Sequence, residues 1–233
     1  MREIVFDTET TGLDPFDGHR IVEIGCIELL NRIPTGVTFH RYLNPERDMP
    51  PEAFKVHGLS VEFLKDKPLF ADVADELLDF FGDSALIAHN ASFDFGFLSV
   101  EFDRVKRAGF SRERLIDTIA LARRKHSAGP YSLDALCLRY GIDNSRRTKH
   151  GALLDAEILA EVYLELIGAR QAQLGLAEKG AGGINGRNGS AAIRLRPVAL
   201  ALRITDAERQ AHRDFIATLG ESVLWRDYLP REG

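Results

Sequence analysis

Three strand-like runs stand close together at the front of this chain, and helical periodicity begins only after them. Ile4, Val5 and Phe6 have β-branched and aromatic character, and "TTGLDP" supplies the turn residues that end the first run. "IVEIGCIELL" (21–30) and "GVTFHRYL" (36–43) follow, with "NRIPT" as the turn between them. Connections this short join antiparallel neighbours, so a meander is expected. Beyond it the pattern alternates. "PLFADVADELLDFFG" is helical, "SALIAHN" is a short buried strand, and "SFDFGFLSVEFDRVKRAG" is a helix with a glycine stop. "RLIDT" is a brief strand, "SLDALCLRYG" a helix capped by Ser132 and ended by Gly141, and "HGALLDAEILAEVYLELIG" a long helix. A meander followed by βα units predicts an α/β fold, a mixed five-stranded sheet flanked by helices.

The carboxylates in this frame need a reason. Asp7 and Glu9 sit at the exit of the first strand, and residues i and i+2 project to the same side, a few ångströms apart. Two adjacent negative charges repel, so either one is protonated or a cation holds both ionised, unless the strand end is simply solvated. Asp94 lies between Phe93 and Phe95 in the first turn of an apolar helix, where compensation of the helix dipole is the plain alternative. Asp155 sits about one and a half turns into the last long helix beside Leu153, Leu154 and Ile158, with His150 at the helix entrance. If these four acids converge, they make an oxygen-rich site for hard divalent cations. Two such ions about 3.5 to 4 Å apart clamp the attacking and leaving oxygens of an in-line phosphoryl displacement. That chemistry needs a base, and His150 titrates near neutrality.

"FDTETTGL", "HNASFDFGFL" and "HGALLDA" resemble, in order and spacing, the three exonuclease motifs of the DEDD superfamily in its histidine variant. "PEAFKVHGL", "YSLDALCLRYGIDNS", "HGALLDAEILAEVYL" and a C-terminal "LWR" extend the resemblance to the proofreading epsilon subunits of bacterial DNA polymerase III, continuously over residues 2 to 170. The resemblance implies a ribonuclease H-like fold and removal of nucleotides from a DNA 3′ end as 5′-monophosphates. It implies that Asp7, Glu9 and Asp155 bind two divalent cations, Mg²⁺ or Mn²⁺, and face the substrate, that Asp94 completes the metal site, and that His150 is the catalytic base. Glu52 and His57 match family positions that contact the terminal nucleotide; Thr10, Leu13, Asn90 and Phe93 are further substrate candidates. Two other readings stay open. One is a related histidine-type exonuclease acting on RNA or short oligonucleotides; the other is a noncatalytic polymerase-assembly module that retains the fold.

Composition bounds the setting. A formal charge of −5 argues against tight nonspecific duplex binding through a large basic surface, so phosphate must be met locally. Arg123, Arg124, Arg146, Arg147 and Lys149 are the candidates, the last three abutting His150. No stretch approaches the roughly 20 apolar residues of a membrane span, and no basic region leads an apolar one at the N-terminus. Cys26 and Cys137 fall in apolar runs and read as reduced core thiols, which together point to a cytoplasmic protein.

The expected organisation is an exonuclease domain over 1–176, a flexible linker over 177–192 and a polymerase-binding segment over 193–233. "AEKGAGGINGRNGSAA" is rich in Gly and Asn, and a flexible chain of that length spans about 20 to 24 Å. Beyond it "TDAERQAHRDFIATLG" opens with a capping box, Thr205 and Glu208, and predicts a helix. Val198, Leu200, Leu202, Phe215, Ile216, Leu219, Leu224 and Trp225 need a surface to bury them, and the resemblance implies the polymerase alpha subunit. "QAQLGL" (171–176) resembles the short sliding-clamp-binding motif of bacterial replication proteins, with Gln171 supplying hydrogen bonds and Leu174 and Leu176 entering an apolar groove.

Overall fold

Strand β1 (Arg2–Thr10) is the middle of the sheet because Ile4, Val5 and Phe6 make both of its faces apolar, so that it can be covered on both sides. It pairs antiparallel with β2 (Ile21–Leu30), which pairs antiparallel with β3 (Ile33–Tyr42). On its other side β1 runs parallel to β4 (Ala85–Ala88), and β4 parallel to β5 (Leu115–Asp117), giving the order β3-β2-β1-β4-β5. This is the mixed five-stranded sheet read from the sequence. The computed structural model describes residues 1–147, 149–169 and 204–219.

Seven helices of this part follow in chain order: α1 (Pro51–His57), α2 (Val61–Leu64), α3 (Phe70–Phe81), α4 (Ala91–Arg104), α5 (Thr118–Lys125), α6 (Leu133–Tyr140) and α7 (Ala152–Leu166). Alternation along β1 sorts them into two layers. Ile4 and Phe6 join a core with Phe70, Leu77 and Phe81 of α3 and Phe97 and Phe102 of α4. Val5, one residue out of phase, joins Leu136 and Cys137 of α6 and Leu159 and Tyr163 of α7. The same phase puts Glu3, Asp7 and Glu9 on the α7 face and Thr8 on the α4 face. Buried Tyr163 donates to Glu3 at 2.7 Å, as that phase requires. Both cysteines are free and buried, and burial pushes the thiols upward, that of Cys137 to about 11.

Two boundaries differ from the sequence reading. The β2–β3 turn is Asn31-Arg32 alone, both with positive φ (52° and 67°), so Ile33, Pro34 and Thr35 belong to β3 rather than to the loop. Pro34 is tolerated because β3 is an edge strand. Helix α4 stops at Arg104, well before the expected Gly109. Lys106 takes a positive φ of 56°, and the amides of Lys106 and Arg107 bond back to the carbonyls of Asp103 (3.1 Å) and Phe102 (3.0 Å). That is a Schellman ending without glycine. Helices α1, α2 and α5 were not read from the sequence; all three are short, and α1 opens on two prolines, Pro50 and Pro51.

The chain divides into two compact units, Met1–Leu174 and Gly175–Gly233. In the second, α8 (Asp206–Thr218) forms as expected, with Thr205 and Glu208 making both halves of the capping box. The linker 177–192, the clamp motif 171–176 and the apolar residues Val198, Leu200, Leu202, Leu224 and Trp225 lie outside the described residues. No described helix is long and apolar enough to cross a membrane.

Candidate active site

The acids converge where β1 and β4 end. Asp7 and Glu9 come from β1, Asp94 from the first turn of α4, and Asp155 from the first turns of α7. With His150 they line one cleft of about 310 Å³, together with Thr8, His89, Phe93, Ser132, Leu133, Asp134 and Arg147. Asp94 approaches from the opposite layer and is held by the hydroxyl of Thr8, which donates to its Oδ1 at 2.7 Å. Asp155 approaches because Gly25 of β2 stands where α7 begins. A Cβ there would meet Leu153 N at 2.2 Å and the carbonyl carbon of Ala152 at 2.3 Å. His150 lies on the loop before α7, its amide bonded to the Val56 carbonyl of α1 at 3.2 Å.

The electrostatics are those of a site built for a cation. Burial first, then the charges of Asp94, Glu9 and Asp155, hold the Asp7 carboxyl well above the carboxylate range. Glu9 is pushed up to about 8 by burial foremost and then by Asp155, Glu23 and Asp94. Burial lifts Asp94 to about 7 against the pull of the Thr8 hydrogen bond. Asp155 goes the other way: burial raises its carboxyl, but hydrogen bonds and charge from Arg147 and His150 outweigh it and leave it below its usual value. Ligand atoms of Glu9, His150 and Asp155 lie within 4.8 Å of one another, compatible with a single ion. An all-carboxylate set with one imidazole fits a hard divalent cation and carries no thiolate that would select a soft one.

A second cavity, about 500 Å³, adjoins the first through Thr8, Glu9 and Phe93. Thr10, Leu13, Glu52 and His57 line it; Asn90 lines neither cavity and takes a left-handed backbone at the start of α4. Phe93 serves both readings made for it, packing on the α4-side core while facing the cavities. His57 is buried, and its Nδ1 accepts from Leu59 N at 3.0 Å. The proton is therefore on Nε2, which has no hydrogen-bond partner among the described residues. Of the basic residues, Arg147 lines the acid cleft, Arg123 and Arg124 line a separate hollow beside β5, and Arg146 pairs with Glu157.

Residues 4–163 match the model of the RNase_T exonuclease family. The chain is 48% identical over 222 residues to the DNA polymerase III subunit epsilon of Rickettsia felis, covering 94% of this chain and 97% of that one. It is 47% identical over 239 aligned positions to the subunit of the same name from Escherichia coli, covering 97% of each. The chain belongs to the DNA polymerase III epsilon family of exonucleases. Among solved structures, exonuclease X in complex with 5′-overhanging duplex DNA is 26% identical with a TM-score of 0.54, covering 71% of this chain and 91% of that one. The nuclease domain of 3′hExo, a DEDDh family member bound to rAMP, shares the fold at 16% identity, with a TM-score of 0.63 over 72% of this chain and 92% of that one.

For this epsilon-family chain the sequence reading missed four supporting residues. Thr8 sits between the two β1 acids and, by period 2, had to face the other layer where Asp94 arrives. Gly25 inside a strand signals a close backbone approach, and its signal was there to be read. Glu23, cross-strand partner of Glu9, is buried and bonded to His40 Nε2 at 2.7 Å. His89, through its Nδ1 contact of 2.9 Å to Thr118, is fixed by a helix the sequence did not announce.

Proposed function

We propose that this epsilon-family chain is the proofreading 3′→5′ exonuclease of a bacterial DNA polymerase III, hydrolysing the terminal phosphodiester of a single-stranded or mispaired DNA end to release a 5′-dNMP. The observation that carries the reading is the convergence of four acids and His150 in one cleft that opens onto a nucleoside-sized cavity. Asp7, Glu9, Asp94 and Asp155 would hold two Mg²⁺ or Mn²⁺ ions. When bound, such ions stabilise charge on the scissile phosphate and lower the pKa of the attacking water. His150, on the exposed side of the cleft, would take the proton from that water as general base. In the adjoining cavity, the buried Nε2–H of His57, which faces the Thr10 backbone without a hydrogen bond of good geometry, would donate to an oxygen of the terminal nucleotide, with Glu52, Thr10, Leu13 and Phe93 forming the walls. Its neutral form fits this use, since burial lowers its pKa. The 1–176 exonuclease domain would be tethered through 177–192 to a 193–233 segment that docks on the alpha subunit. Residues 171–176 would reach the sliding clamp, where tethering raises the effective concentration of a weak motif. Cytoplasmic location follows from this role.

The test is release of dNMP from single-stranded and 3′-mispaired DNA with Mg²⁺ or Mn²⁺, run beside matched RNA. Preference for DNA with acceleration at the mispair supports proofreading. Faster degradation of RNA overturns the substrate assignment, and no turnover with either metal overturns the enzyme.

A further inference from the structure

Arg147 is the most deeply engaged basic side chain of the cleft. Its Nε donates to Asp155 Oδ1 at 2.6 Å and its Nη2 to Asp155 Oδ2 at 2.7 Å, so both oxygens of one proposed metal ligand are taken by a single planar cation. The same Nη2 lies 2.7 Å from His150 Nδ1. Nδ1 also lies 3.2 Å from Asp155 Oδ2, so guanidinium and carboxylate together cover that side of the imidazole ring. The third arm, Nη1, reaches Asp134 Oδ1 at 2.9 Å, an oxygen also held by the Asn144 amide at 2.9 Å. Side-chain exposure grades these partners: Arg147 is 9% exposed, Asp155 3%, and Asp134 60%. Arg147 is therefore strung between the bottom of the cleft and its rim.

We propose that Arg147 is a resident counter-cation that competes with the divalent metal for Asp155 and masks His150, and that metal binding transfers it to Asp134 at the rim. The proposal rests on the metal-dependent reading above. Its electrostatic logic is simple. Four ionised carboxylates are neutralised by two divalent cations, which leaves the guanidinium without a partner inside, while the phosphodiester brings one further negative charge to the cleft. Before metal arrives, Arg147 spares Asp155 an unpaired buried charge, a situation that is strongly destabilising. Because the two cations contend for the same oxygens, linkage requires that whatever Arg147 gains from Asp155 is subtracted from metal affinity. Arg147 is thus a positioning residue. It acts through Asp155 and His150, and it unmasks the base only when the site is loaded.

The test uses the full chain and a readout independent of turnover. Arginine Nε–H groups are followed by two-dimensional ¹⁵N–¹H spectra during a Mg²⁺ titration of the wild-type protein, with the Arg147 signal identified by its loss in Arg147→Lys. The proposal expects that signal to shift and to exchange faster with water as metal saturates; an unchanged signal at saturation overturns it. Calorimetry with Mn²⁺ gives the second reading: Arg147→Gln is expected to bind metal at least about 5-fold more tightly than wild type. Equal or weaker binding overturns the proposal, and the wild-type titration decides alone if that variant does not fold. Absence of any metal binding by the wild type would remove the functional reading as well, whereas binding with an unmoved Arg147 removes this inference only.

Discussion

Asp7 on β1 lies directly across from Gly25 on β2, and the space a side chain at 25 would fill is occupied by the backbone of α7 at Ala152 and Leu153. The first metal-ligand candidate and the helix carrying Asp155 are brought together by the absence of a Cβ. Gly25→Ala places a carbon 2.2 Å from a backbone nitrogen that cannot rotate away, so α7 must shift outward with Asp155. Overpacking of this kind costs about 1 to 3 kcal/mol, and a misplacement of about 1 Å costs catalysis about 100-fold. Gly96→Ala, in α4 with nothing within 4 Å of the new carbon, is the control and should be neutral or stabilising. Thermal melts and exonuclease assays on the two variants check this; a Gly25→Ala protein as stable and active as wild type contradicts the close approach.

Asp7→Ala should remove a ligand shared by the metal site and nearly abolish hydrolysis, while Asp7→Asn keeps the shape and removes the charge. Both are expected to lower Mn²⁺ affinity in calorimetry. Near-normal activity in both variants would refute a metal role for Asp7.

His150→Ala is expected to lose about 10²- to 10⁴-fold in kcat with metal binding largely preserved, the signature of a missing general base. His150 is bound to the protein through its backbone amide at Val56, so the loop should stay in place. A rise in KM with kcat unchanged would assign it to substrate positioning instead.

The raised carboxyls give a pH dependence of definite sign. Glu9 titrates near 8 and Asp94 near 7 in the folded chain, against roughly 4 to 4.5 for unfolded carboxyls, so the folded protein binds more protons across that window. Stability is then full below the unfolded values and declines as pH rises towards 8. His57 and His89, lowered by burial, slope the opposite way but only below about 6.5. In chelator-treated protein the melting temperature should fall between pH 6.5 and 8, and fall less in Glu9→Gln. Saturating Mg²⁺ should flatten the slope by favouring the ionised acids. A rising melting temperature across this window in chelator would reject the assignment.

Deleting 193–233 should abolish association with the polymerase alpha subunit while leaving hydrolysis of free single strands intact. Size-exclusion chromatography of the mixed subunits reads the first effect, and a single-strand assay the second. Undiminished association would show that the segment is not the docking element.

Much of the fold was legible in the sequence because it is local. Strand and helix periodicities, the caps at Ser132, Gly141 and Thr205, and the spacing of the three acidic motifs are properties of short stretches, and the structure keeps them. Period 2 along β1 already placed Asp7 and Glu9 on one side. The rest depended on contacts between segments far apart in the chain. That Asp94 arrives from the other layer onto Thr8 follows from packing α4 and α7 on opposite faces of one strand. Gly25 inside a strand marks a close approach, but that the element filling its space is the start of α7 is decided only by the packing of distant segments. The sequence put Arg147 in a basic cluster and suggested phosphate. Its engagement with Asp155, His150 and Asp134 required three loops and helices to meet, because a side chain's partner is fixed by where the backbone brings the opposite charge, not by its own neighbours in the chain.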